Sequence, residues 1–593
     1  MLRSLSLFVV CGLCALLLIL RTTQPTKHAL TWDVFGYYLY LPATFIHDDP
    51  GLKDHAWLDE VMATYDPSTT LYQLVDGTDG SRVIKYSSGM AVAYAPWFLL
   101  AHVLAEPLGY PADGFSPPYQ VLVTYGTLLY VLIGLFLLRK VLLHFFDDRL
   151  VAALLVLVVL GTNFLHLAAL DGTLLTHPLL FTLYAGLVLA TIRWHAKPSW
   201  KSALAIGALV GWVTLIRPSE LVCVLIPLLW IGADGLRGKW VAIKEHPAHL
   251  LIAFPAFVVA ALPQPLYWHA VTGEWLFYSY VNAGEGFDFA APHVVDYLFS
   301  FRKGWFVYTP LMVMAMLGMM ILWKRARHLF WVIGIFLVLD LYIVSSWTNW
   351  WYAGGSFSAR SMVPAYALLA IPLGYLIRQT TAGRVWRAIA CVALPLLVVL
   401  NLFQTWQWNH GIISKERMTA GYYAAIFGRT CVPPDAQRLL LVDRPLTEEE
   451  VLMDTRDYSM RVLYENTFDD RADSVYTLTA EDPFTPGPDL RFDELTSKDH
   501  AWLRISAKLF ITDSTDASPV IVCTFHHKGE TYKYKTMSWE LTNAPKNAWL
   551  NTSFDYISPE VRSPEDNVKV YIWNQHGGTH RVDGLRVEAW EPK

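Results

Sequence analysis

The sequence predicts an α-helical domain that crosses a membrane many times, over residues 1–404, and a C-terminal antiparallel β-sandwich, over 430–593, joined by a linker at 405–429. Three observations carry this. Of the 593 residues, 54% are hydrophobic and only 16% are charged, where a soluble protein has about a quarter charged. The deficit is confined to residues 1–404, which hold long apolar runs. Beyond 430, apolar and polar side chains alternate between turn signals, as half-buried strands require.

A helix needs about 20 mostly apolar residues to cross a bilayer. Such runs lie near 5–21, 119–138, 150–169, 175–192, 202–216, 220–233, 248–268, 306–323, 328–346, 361–378 and 385–404, which makes about eleven spans. The first follows Arg3 like a secretory signal, but no clean cleavage site follows it, so it reads as a retained helix. A further apolar stretch, 89–108, contains Pro96, His102, Glu106 and Pro107. Charge decides its placement. If it does not cross and the N-terminus is cytoplasmic, one set of connections holds Arg139, Lys140, Arg149, Arg193, Lys197, Lys201, Arg237, Lys239, Lys244, Lys324, Arg325, Arg327, Arg378, Arg384 and Arg387. The opposite set, after residue 89, holds only Arg217, Arg302, Lys303 and Arg360. Basic loops stay cytoplasmic. The stretch 89–108 is therefore expected as a re-entrant or juxtamembrane helix on the outer face of an inner or plasma membrane, with the β domain extracytoplasmic.

The β domain is read from strands near 502–511, 520–525, 549–556, 568–573 and 585–590, separated by turns such as Gly577-Gly578 and Asp583-Gly584. Its aromatic residues could stack on a glycan or simply fill the core.

Composition also excludes. A net charge of −5 gives no basis for nucleic-acid binding. There is no phosphate-binding glycine loop, no zinc-spaced His/Cys cluster and no Gly-x-Ser-x-Gly elbow. Cys11, Cys14, Cys223 and Cys391 lie in apolar segments, where cysteine is a packing residue; Cys431 and Cys523 could pair only if close in space.

The candidate site residues all fall on the expected outer face. Asp33 stands in Thr31-Trp32-Asp33-Val34-Phe35-Gly36-Tyr37-Tyr38. A carboxylate there is costly unless paired or used; the bland alternative is a helix N-cap. Asp48 and Asp49 precede Pro50-Gly51, so they form either a turn or oxygen ligands for a divalent cation, the one cofactor the sequence leaves open. Lys85, in Lys85-Tyr86-Ser87-Ser88-Gly89, either meets a phosphate or snorkels. His177, in Thr176-His177-Pro178, bonds a ligand or a carbonyl. Arg217, in Arg217-Pro218-Ser219-Glu220, meets an anionic ligand or pairs with Glu220. The run 347–360 is the most specific. It holds Trp350, Trp351, Gly354-Gly355, Ser356 and Arg360, a guanidinium suited to phosphate, against the alternative of an interfacial aromatic belt. Glu285 and Arg302, in the loop 269–305, could shape an acceptor or lipid-headgroup pocket.

This pattern resembles the GT-C fold glycosyltransferases, among them protein O-mannosyltransferases and lipid A aminoarabinose transferases. Asp33 matches the acidic residue that opens their first outer loop. The run 85–89 is similar to their lysine-proline segment, although the proline is missing. Arg217-Pro218 and the run 354–360 are similar to motifs of bacterial members. The resemblance covers residues 1–404. It implies a polyprenyl-phosphate-linked sugar donor taken from the membrane lipid phase, and a glycan, lipid or protein acceptor. It implies inverting transfer with Asp33 as base, and Arg360 with Arg217 or Lys85 on the donor phosphate. Tyr37, His177, Glu285, Arg302, Trp351 and Ser356 would line the substrate pocket. The competing class is a transporter or flippase of a lipid-linked glycan, which would be expected to show internal repeats and mid-span charges; Asp340 is the clearest deep acid.

Overall fold

The computed structural model describes residues 4–77, 79–232, 235–282, 284–351, 355–444, 451–452, 455–470, 474–512, 518–541 and 544–593. They form two units, one of Met1–Val281 with Phe287–Pro434, the other of Asn282–Gly286 with Asp435–Lys593.

The first unit is mostly helical. Among the described residues, six helices are long and apolar enough to cross a membrane: Leu5–Thr22, Gly89–Leu108, Pro117–Leu142, Thr176–Ala196, Arg327–Ser345 and Arg384–Asn409. A seventh is possible if Ala248–Ala261 and Pro263–Thr272, bent by 43°, count as one span. Helix length thus supports fewer spans than apolar runs do, and the difference has a physical cause. Proline lacks the N–H that continues a helix. The run 306–323 is broken at Pro310 between Trp305–Tyr308 and Leu311–Arg325. The run 361–378 starts as a 3-10 turn, Arg360–Met362, and becomes α-helical at Tyr366 after Pro364. The run 150–169 ends at Gly161, and a π-turn, His166–Leu170, follows. Gly89–Leu108 itself is long and apolar enough to cross, so only the charge distribution argues for re-entry.

Thr176–Ala196 is the central helix, with buried residues on all its faces. Trp200–Ile216 and Ala248–Ala261 pack backbone to backbone. A Cβ on Gly207 would lie 2.0 Å from the Ala253 carbonyl oxygen, and one on Gly211 2.4 Å from that of Phe257. This small-xxx-small spacing lets membrane helices approach closely.

The second unit is antiparallel throughout its two sheets. One has the order Asp489–Arg491, Asn567–Trp573, Val520–His527, Glu530–Ser538. The other has the order Tyr458–Asn466, His580–Pro592, Trp502–Ile511, Ala548–Ile557, with Tyr476–Leu478 paired to the start of His580–Pro592. Alternation drives the pairing. Val568, Val570 and Ile572 point inward from one sheet, and Leu503, Ile505 and Leu509 from the other, into one shared core. Lys528 and Gly529, both at positive φ, make the tight hairpin turn between Val520–His527 and Glu530–Ser538. Cys523 is buried in that core and Cys431 is exposed; both are free thiols.

Candidate functional site

Asp33 is the first residue of the short helix Asp33–Tyr38. The N-cap is Trp32, which has φ 54° and makes no side-chain capping bond. The carboxylate therefore does not cap the helix. Its Oδ1 accepts from the Tyr72 hydroxyl at 2.8 Å and the Tyr86 hydroxyl at 2.7 Å. Its Oδ2 lies 3.5 Å from Nη2 of Arg360. The side chains of Arg360 and Asp33 are 16% and 27% exposed, so neither is sealed from a ligand. Burial and the Asp33 charge push the Tyr72 and Tyr86 phenols well above their ordinary range, so both stay protonated as donors.

Arg217 ends the helix Trp200–Ile216, where Pro218 stops the α-helical hydrogen bonding. Its Nη1 donates to His177 Nδ1 at 3.4 Å and to Ser361 Oγ at 3.5 Å, and lies 3.8 Å from Glu220 Oε1. Glu220 is buried and accepts from the Tyr184 hydroxyl at 2.6 Å. Because Ser361 follows Arg360, one 3-10 turn ties the two guanidinium groups into a single cluster with Asp33. The ring of Tyr37 lies 4.6 Å from that of Tyr86, tilted by 48°. Its phenol feels Asp33, Arg217 and Arg360 together, and burial raises its pKa well above the usual value. Lys85 is buried, with Nζ 5.1 Å from the Tyr280 ring centroid and 5.9 Å from those of Tyr72 and Tyr86.

The structure thus brings Asp33, Arg360, Arg217, His177, Tyr37 and Lys85 into one connected neighbourhood. Other expected residues hold the segment that carries Arg360. Arg302 donates from Nε to the Glu416 carbonyl at 2.7 Å and stacks 4.2 Å from the Trp351 ring centroid. The adjacent Lys303 is buried, donates to the Ser356 carbonyl and lies 4.5 Å from the Trp408 ring centroid. Burial pushes its ammonium pKa well down. Ser356 Oγ donates to the Ser358 carbonyl at 3.1 Å. Tyr352, Ala353 and Gly354 of this run lie outside the described residues. Glu285 falls in the second unit, where Asn282 Nδ2 donates to it at 3.3 Å.

Asp49 serves a turn. Its Oδ1 accepts from the Lys53 N–H at 3.0 Å and its Oδ2 from the Asp54 N–H at 2.9 Å, while Asp48 is exposed at φ 48°. Among the described residues no group of three or more His, Cys, Asp or Glu could hold a metal ion.

Sequence reasoning missed Tyr72 and Tyr280, and saw Tyr86 only as a neighbour of Lys85 and Lys303 only as an outer-loop cation. Tyrosine is ordinary at a membrane interface, so nothing in the pattern marks a hydroxyl aimed at a carboxylate.

No family model matches the chain, and no curated protein matches it. Among solved structures, the archaeal oligosaccharyltransferase AglB from Archaeoglobus fulgidus, in complex with an inhibitory peptide and a dolichol-phosphate, is similar with a TM-score of 0.38 and 11% identity. That match covers 73% of this chain and 58% of that one. Arabinosyltransferase EmbB from Mycobacterium smegmatis is similar with a TM-score of 0.29 and 12% identity, covering 85% of this chain and 63% of that one. The chain therefore spans less than two thirds of the length of either.

Proposed function

We propose that this protein is a membrane glycosyltransferase that moves a sugar from a polyprenyl-phosphate donor to an acceptor hydroxyl on the extracytoplasmic side, with inversion at the anomeric carbon. The observation that carries the proposal is the Asp33 carboxylate 3.5 Å from the Arg360 guanidinium, with Arg217 hydrogen-bonded to Ser361 of the same 3-10 turn as Arg360. Inverting transfer from a phosphate donor needs a base for the attacking hydroxyl on one face of the anomeric carbon and a cation for the departing phosphate on the other, both within one site.

In the proposed step Asp33 takes the acceptor's proton as the hydroxyl oxygen attacks the anomeric carbon. The bond from that carbon to the phosphate oxygen breaks, and the electron pair leaves with the phosphate. Arg360, with Arg217 or Lys85, holds the growing charge. The distribution of loop cations supports placing this face and the second unit on the extracytoplasmic side of an inner or plasma membrane.

The test is purified protein with a labelled polyprenyl-phosphate sugar in nanodiscs, scored for transfer to hydroxyl acceptors. Asp33→Asn should insert normally and lose about 10²- to 10⁴-fold in rate. Normal turnover by that variant would sink the assignment. Movement of donor across the bilayer without transfer would point to a flippase instead.

A further inference from the structure

We propose that Tyr72 and Tyr86 are positioning residues that reserve Oδ1 of Asp33 and leave Oδ2 as the atom that receives the acceptor's proton. This rests on the reading of Asp33 as the base and says which of its two oxygens acts. The two phenols come from different places, Tyr72 just before the strand Leu74–Asp76 and Tyr86 just after Arg82–Ile84. They converge on the same oxygen, at 2.8 and 2.7 Å. A carboxylate oxygen offers about two lone-pair sites, so two phenols fill Oδ1. The contact of Oδ2 with Arg360 is 3.5 Å, long against the roughly 2.7–2.9 Å of a good charge-assisted bond. Oδ2 therefore keeps room for an incoming hydroxyl.

The phenols are themselves held. The two strands pair in register from Leu74–Ile84 to Asp76–Arg82, which fixes the separation of Tyr72 and Tyr86 along the chain. Lys85 N–H donates to the Gln73 carbonyl at 2.8 Å, closing the open end of that ladder beside both tyrosines. The Tyr86 carbonyl accepts from the Tyr40 hydroxyl at 2.6 Å, and its ring packs against those of Tyr37 and Tyr280. Gln73 Nε2 donates to the Trp32 carbonyl at 3.1 Å, so the residue after Tyr72 grips the residue before Asp33. A carboxylate on a free turn would rotate between its two oxygens; this one is clamped at one of them. A misplacement of about 1 Å in a reacting group is enough to cost roughly 10²-fold in rate.

The experiment uses the full-length protein in nanodiscs and the labelled polyprenyl-phosphate sugar, with Tyr72→Phe, Tyr86→Phe and Asp33→Asn measured together. Phenylalanine keeps each ring and removes only the hydroxyl. Each Tyr→Phe variant is expected to lower kcat roughly tenfold, the loss of one hydrogen bond to a charged group. The KM for donor should stay within about twofold, because ground-state donor binding does not use Oδ1, and the melting temperature should stay at the wild-type value. Unchanged kcat in both variants overturns the inference, and so does a rise in donor KM that accounts for the whole loss. If Asp33→Asn turns over normally, the base reading itself has failed. If that variant is dead while both Tyr→Phe variants work normally, only the positioning role has failed.

Discussion

Gly89→Ala should disable the site from a position that touches none of its charged groups. Gly89 opens the helix Gly89–Ala105, and its missing side chain faces the end of Trp200–Ile216. A Cβ there would lie 2.4 Å from the Ile216 nitrogen, 2.5 Å from its Cα and 2.6 Å from the Leu215 carbonyl carbon. All three atoms are backbone, so no side chain can swing aside. To reach the 3.4 Å at which ordinary contact begins, the two helix ends must part by about 1 Å. The next residue is Arg217, and its guanidinium moves with that helix end. Overpacking of this kind costs about 1–3 kcal/mol of stability, and a shift near 1 Å in a charge-stabilising group costs about 10²-fold in rate. The assay is donor-dependent transfer together with the melting temperature of the purified protein. Gly186→Ala is the control, since a Cβ there meets its nearest atom at 3.5 Å. Wild-type turnover and melting by Gly89→Ala would refute the reasoning. A lowered melting temperature with full turnover would show that the helix contact does not set the position of Arg217.

Three other outcomes follow from the same geometry. Arg360→Ala should lower transfer about 10²- to 10³-fold, the cost of removing one charge-stabilising donor, and Arg360→Lys should not restore it, because the planar fork is lost; single-turnover rates check both. A membrane-impermeant maleimide should label Cys431 in the native protein and Cys523 only after unfolding, since Cys523 lies in the sandwich core and burial pushes its thiol pKa up; peptide mapping by mass spectrometry reads this out. Arg504 grips Asp555 with two bonds, at 2.7 and 2.9 Å, and Asp555 also accepts from the Leu452 N–H. Arg504→Met strands a buried carboxylate and should cost about 1–3 kcal/mol, discounted because the arginine is itself about one-third exposed; a thermal scan of the full chain measures it.

The fold was legible where one property repeats along the chain. Apolar runs marked the helices, and alternation marked strands such as Trp502–Ile511 and Asn567–Trp573. The breaks were less visible, because an apolar run looks the same on either side of Pro310 or Gly161 while the hydrogen bonding does not. In the site, Asp33, Arg217 and Arg360 stood out because a charge in an apolar setting needs a reason. Arg217 takes the plainer of its two readings, since it lies 3.8 Å from Glu220, and it also reaches His177 and Ser361. Tyr72 carried no signal, because what matters is the direction of one O–H bond. Arg302 and Trp351 carried a signal whose meaning only geometry supplies: the guanidinium lies on the indole face, a contact a sequence cannot distinguish from two side chains lining a pocket.

The pairing of Asp33 with Arg360 bears on how such a site would work. A base resting against the cation meant for the leaving group looks self-defeating, since each neutralises the other. The magnitude says otherwise. The pair is 3.5 Å apart, beyond a good hydrogen bond, and both side chains keep some exposure; a loose ion pair of that kind is worth about 1 kcal/mol. A phosphate can engage Arg360 by two parallel hydrogen bonds, which a carboxylate at 3.5 Å does not. Donor arrival would then exchange a weak contact for a strong one at small cost. It would free Oδ2 at the moment the acceptor needs it, while Tyr72 and Tyr86 keep the carboxylate from turning away.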